Sequence, residues 1–134
     1  MNEFEIAEEW FRYANNDLIV AKHCFEDLQP KQTEISSYHC QQSAEKALKG
    51  YLLFKNIEPP KTHDLKLLCK MCIDSDNSFI SIADKCANLT AYGISVRYPE
   101  ELCPDENMVK IAVSEAQEVY NFCKSKVIRP DIKI

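Results

Sequence analysis

Three side chains of one segment are spaced to act together. Gln42, Lys46 and Lys49 stand at i, i+4 and i+7, so on a helix they share one row, with Glu45 beside them. Two ammonium groups in a row can grip a phosphate, and a neighbouring carboxylate can orient them. His63 and Asp64 follow the rigid Pro59-Pro60 loop and open a helix, whose first N–H groups attract anions. Arg97 lies in a loop ahead of Tyr98 and Pro99, and loops are where a scaffold presents functional groups. Asp17 interrupts an otherwise apolar seam. It is either an edge position that reaches solvent or a buried carboxylate that needs a donor. Two accounts of these residues stand side by side. In one, Lys46, Lys49 and Arg97 hold phosphate and Asp17 or Glu45 orients them. In the other, the polar groups form a buried network that fixes the register of a bundle.

Other chemistry finds less support. His23 and His39 read as structural or solvent-facing side chains. The sequence contains no HExxH and no Glu-x-x-His pair, so neither a zinc protease site nor a di-iron bundle is expected. Cys69 and Cys72 form a CxxC, but a structural zinc wants four ligands and no second pair follows. The seven cysteines therefore read as small packing residues of a reducing interior, and no metal or cofactor is expected. Only two glycines occur, Gly50 and Gly93, so no glycine-rich phosphate loop can be written. Residues 1–29 carry two basic and seven acidic groups, 30–70 seven and four, and 71–134 seven and ten. The basic middle coincides with the polar row, yet it lacks an Arg cluster and aromatic interleaving.

These residues must be positioned by helices. With two glycines in 134 residues, a multi-stranded antiparallel sheet would lack its turns. Prolines at 30, 59, 60, 99, 104 and 130 bracket the helical segments. The first runs from about Glu3 to Leu28, with Ala7, Trp10, Ala14, Asp17, Ala21, Cys24 and Leu28 at a/d spacing and Phe4, Phe11, Leu18 and Phe25 widening the stripe. The second runs from about Gln32 to Lys55 on Cys40, Ala44, Ala47, Leu48 and Tyr51. Thr62 caps a short third helix from His63 to about Ile73, with Asp64 in its first turn. Ser78 caps a fourth, with Phe79, Ile82, Cys86 and Leu89 inward and Gly93 as its C-cap. The fifth runs from about Asp105 to Lys126 on Ala112, Ala116, Val119 and Cys123. The expected fold is all-α, an antiparallel up-and-down bundle of about five helices. Residues 1–127 form one domain and 128–134 a C-terminal tail. The acidic N-terminus lacks a signal-peptide pattern and no apolar run is long enough to span a bilayer, which predicts a cytoplasmic protein without membrane partners.

The segment Cys40-Gln41-Gln42-Ser43-Ala44-Glu45-Lys46-Ala47-Leu48-Lys49 resembles the central helix of the HEPN family, named for higher eukaryotes and prokaryotes nucleotide-binding. Trp10, Ala14, Asp17, Leu18 and Ala21 are similar to its first helix, Thr62-His63-Asp64-Leu65 to the start of its third, and Arg97-Tyr98-Pro99 to the loop before its last. The likeness spans about residues 8 to 124.

The resemblance implies a helical bundle that is usually a homodimer and is paired with a separate minimal nucleotidyltransferase in a toxin–antitoxin-like system. It implies contact with nucleotide or RNA through Gln42, Glu45, Lys46, Lys49, His63, Asp64 and Arg97, which match the family's positions. Asp17 joins them if antiparallel packing brings it near the row. The ribonuclease branch carries Arg, then four to six residues, then His. Here no His follows Arg97, Arg12 meets Asp17, Leu18 and Ile19 at the required spacing, and Arg129 is too near the end. No catalytic residue is therefore carried over, and the expectation is a non-catalytic subunit. The alternative is a ribonuclease toxin with a variant site around Arg97 and His63.

Overall fold

The computed structural model describes residues 1–93 and 104–130. Five α-helices follow one another: α1 (Glu3–Glu26), α2 (Thr33–Phe54), α3 (Leu65–Ser75), α4 (Ala83–Thr90) and α5 (Glu106–Ser125). Two 3-10 turns, Asn77–Ile82 and Ala91–Gly93, flank α4, and no strand occurs among the described residues. The expected all-α bundle is the observed one.

α1 and α2 form an antiparallel hairpin whose seam is built of very small side chains. Ala7, Ala14 and Ala21 recur every seven residues on α1, and Ser36, Ser43 and Gly50 do so on α2. All six are buried. Ser36 Oγ donates to the Ala21 carbonyl at 2.8 Å. At the other end, a Cβ on Gly50 would lie 3.1 Å from Trp10 Cβ and 3.6 Å from the Ala7 carbonyl oxygen. The same register sets Ser43 opposite Ala14. The glycine thus serves close helix approach, not a turn.

α2 is the central helix. It packs against α1, α3, α4 and α5, and α5 closes the bundle against α1 and α4. The predicted stripes supply the core. Phe11, Leu18, Leu48, Tyr51, Leu52, Leu65, Leu68, Phe79, Leu89 and Val119 are buried. Phe79 stacks between Tyr51 (ring centroids 4.4 Å apart) and Phe122 (4.9 Å), and Tyr51 Oη meets Ser75 Oγ at 3.0 Å. The six described cysteines are free and buried, and burial pushes the Cys40 thiol up to about 12. Cys103 lies outside the described residues. Trp10, by contrast, is only half-buried at its seam position. No helix of the described residues is long and apolar enough to cross a membrane.

Three helix ends differ from the sequence expectation. The cap of α3 is Asp64, whose side chain accepts from the N–H groups of Lys66 (2.9 Å) and Leu67 (3.4 Å). Thr62 instead closes a local turn by accepting from Asp64 N–H at 3.1 Å, so His63 precedes the helix and does not open it. Ser78 does not cap α4. Asp76 caps the 3-10 turn by accepting from both the N–H and the hydroxyl of Ser78, and α4 begins only at Ala83. Gly93 does not adopt the left-handed C-cap conformation. It sits where a Cβ would collide with the side chain of Gln41. Among the described residues the left-handed one is Asn56 at φ 59, which ends α2 with Asn56 N–H on the Leu53 carbonyl (3.0 Å) and Ile57 N–H on the Leu52 carbonyl (2.9 Å).

Candidate functional site on helix α2

Because α2 is enclosed on several sides, polar residues on it fall beneath neighbouring elements and need partners. Two buried carboxylates supply them, one on each side of the helix.

On the α1 side, Asp17 is 7% exposed. Lys46 Nζ donates to its Oδ2 at 2.6 Å, and His39 Nδ1 to its Oδ1 at 2.8 Å. Asp17 is therefore the buried carboxylate with donors, not the solvent-facing edge residue. An ionised carboxylate only accepts, so the bond fixes the hydrogen on His39 Nδ1 and leaves Nε2 as the second ring position. Tyr38 packs edge-on against His39 with ring centroids 5.4 Å apart.

On the α3 side, Glu45 is 5% exposed. Its Oε2 accepts from Lys49 Nζ at 3.0 Å, and its Oε1 from His63 Nδ1 at 2.8 Å and Gln41 Nε2 at 3.2 Å. Burial alone would push the Glu45 carboxyl up. The hydrogen bonds from His63, Lys49 and Gln41 outweigh it and hold the group below its ordinary value. Gln41, fully buried, also donates to the His63 carbonyl at 2.9 Å and accepts from Gln42 Nε2 at 2.7 Å. His63 is thus tied down by its carbonyl and by Nδ1, while its side chain remains 71% exposed.

The predicted row therefore divides. Lys46 serves Asp17, Lys49 serves Glu45, and Gln42 braces Gln41. Asp64 does not join either network, because its side chain is spent on the α3 cap. Arg97 lies outside the described residues, as do Tyr98 and Pro99. Two members were missed as site residues. His39 shares a face with Gln42 and Lys46 at i, i+3 and i+7, and Gln41 stands four residues before Glu45. Those spacings were the available signal.

Chemically, each network holds one ammonium, one imidazole and one carboxylate. The carboxylate satisfies only part of the ammonium's three donors, and each imidazole keeps Nε2 outside its carboxylate bond. Such groups can bind an anion or exchange a proton. Among the described residues, no group of three or more His, Cys, Asp or Glu side chains is arranged to hold a metal ion.

Comparison with known proteins agrees with this architecture. The chain resembles TT1696 from Thermus thermophilus with a TM-score of 0.78 at 22% sequence identity, covering 94% of this chain and 99% of that one. It resembles ST0689, an archaeal HEPN homologue, with a TM-score of 0.72 at 24% identity, covering 91% and 98%. At such identities the likeness speaks for the fold. No curated protein matches the sequence. The HEPN domain family matches residues 7–126, from α1 through the whole of α5 and so across both networks. The chain belongs to the HEPN family.

Proposed function

We propose that this chain is a non-catalytic HEPN subunit that forms a homodimer, pairs with a separate minimal nucleotidyltransferase and holds nucleotide or RNA through Lys46 and Lys49 of α2. The carrying observation is that Asp17 and Glu45 pin Lys46 and Lys49 along one helix while using only part of their donors. Ammonium groups so pre-oriented suit phosphate. A toxin–antitoxin-like pair is the setting the family resemblance implies. Co-expression with a nucleotidyltransferase encoded next door tests the reading: the two proteins should co-purify as a stable complex. A partner-free dimer without nucleotide affinity by calorimetry would overturn it.

A second reading is favoured by one specific observation. The sequence lacks a His after Arg97, yet His63 is exposed and held through Nδ1 by buried Glu45, the arrangement of an oriented general base. A variant ribonuclease around His63 and Arg97 predicts RNA cleavage that Arg97→Ala and His63→Gln both abolish. RNA left intact by the purified protein rejects it.

A further inference from the structure

Aromatic side chains of another helix stand beside one lysine of the α2 row. Trp10 and Tyr13 of α1 stand across the seam from Lys46 of α2. Together with Glu9 they line a shallow groove of about 380 Å³. The groove exists because Gly50 lets α1 approach, with Trp10 Cβ directly over the missing side chain. Tyr13 is 51% exposed, and the Arg12 guanidinium lies 4.5 Å from its ring centroid without lining the groove itself. Glu9 adds no unbalanced charge, since it is paired with Arg12 at 2.8 Å. Lys46 is the one cation among the lining residues of a groove whose walls are almost wholly apolar. Its bond to Asp17 takes one of three N–H donors, and its side chain is 28% exposed.

Two aromatic side chains beside an ammonium with open donors suit one kind of ligand: a flat ring that carries an anion. We propose that this groove takes a nucleotide unit, with the base against Trp10 and Tyr13 and the phosphate on Lys46. Base–aromatic stacking tolerates any base, while the phosphate contact adds orientation. The proposal rests on the reading that the chain holds nucleotide or RNA, and it assigns that ligand to the α1–α2 seam.

Trp10 is the chain's one tryptophan, so its fluorescence reports on the groove directly. The experiment titrates the full chain with adenosine, adenosine monophosphate and hexa-adenylate RNA, following Trp10 fluorescence and heat of binding together. Adenosine monophosphate should quench Trp10 saturably, and Lys46→Met should weaken it about tenfold, to the level of adenosine, the loss of one charge-assisted contact. Lys46→Arg should keep the affinity, which guards against a folding defect in Lys46→Met. Tyr13→Ala should weaken all three ligands. Hexa-adenylate binding about tenfold tighter than the monophosphate identifies a strand as the source of the unit, and equal affinity identifies the free nucleotide. Heat of binding with Trp10 unchanged overturns the groove and leaves the nucleotide reading standing. So does Lys46→Met binding adenosine monophosphate as the parent does. Neither heat nor quenching up to about 10 mM ligand overturns both.

Discussion

Glu45→Gln tests the physical logic of the α3-side network. The substitution keeps the shape and removes the charge. Lys49, only 12% exposed, would lose its counterion, and one amide nitrogen would face donors from Lys49, His63 or Gln41. Removing one partner of a buried pair typically costs 3–5 kcal/mol. Lys49 retains some access to water and His63 is largely exposed, so we expect about 2–3 kcal/mol here. For a chain of this size that is a fall in Tm of about 6–15 °C by circular dichroism. Lys49→Met in the same background should restore part of the loss, since a matched apolar replacement leaves no stranded charge. The pH dependence follows in sign. The folded Glu45 carboxyl sits below its ordinary 4.5, so its contribution is full above that value and disappears as pH falls through the folded one. The parent protein should lose more stability than Glu45→Gln on acidification below pH 4.5. A variant that melts within about 0.5 kcal/mol of the parent, with an identical acid profile, would refute the reasoning, because that is the range of an ordinary surface substitution.

Other expectations follow from single contacts. A Cβ at Gly93 would fall 2.6 Å from Gln41 Nε2, and Gln41 is pinned by three hydrogen-bonded partners, so Gly93→Ala should destabilise by about 1–3 kcal/mol in a urea titration. Asp64→Ala removes the α3 cap and should cost about 1 kcal/mol by the same titration, whereas Thr62→Ala should cost less. Phe79→Ala opens the aromatic stack between Tyr51 and Phe122 and should cost about 3–5 kcal/mol. The bonds from Ser78, aided by Lys126, hold the Asp76 carboxyl down at about 2, below its usual 3.8. Its contribution should survive at pH 4 and vanish as pH falls through about 2, which Asp76 NMR titration checks.

Helix existence and inner faces were legible because the apolar spacing is regular: Ala112, Ala116, Val119 and Cys123 are all buried as their stripe requires. Caps were less legible where two capping residues stand two apart. Thr62 and Asp64, like Asp76 and Ser78, are each able to cap, and only the backbone path decides which one meets the free N–H groups. The site was legible as a set of residues on one helix but not as pairings. Spacing places Lys46 and Lys49 in one row, yet the carboxylate each one meets depends on what packs alongside. His39 and Gln41 join the two networks for that reason, and Asp64 does not. Gly93 was misread because a glycine after a helix suggests a left-handed end, whereas the crowding by Gln41 is visible only in three dimensions.

The thin seam between α1 and α2 sets the order in which damage would be felt. Six positions with almost no side chain let two backbones lie so close that Asp17 on one helix reaches both Lys46 and His39 on the other. A single added methyl group at Gly50, Ala14 or Ser43 would part the helices by a fraction of an ångström. Hydrogen bonds of 2.6 and 2.8 Å would lengthen by that amount and stay within the ordinary range, whereas a close-packed core feels even one added methylene. Along this line the packing yields before the polar pairs do: a thickened variant would lose stability first, with Lys46 and His39 still within reach of Asp17.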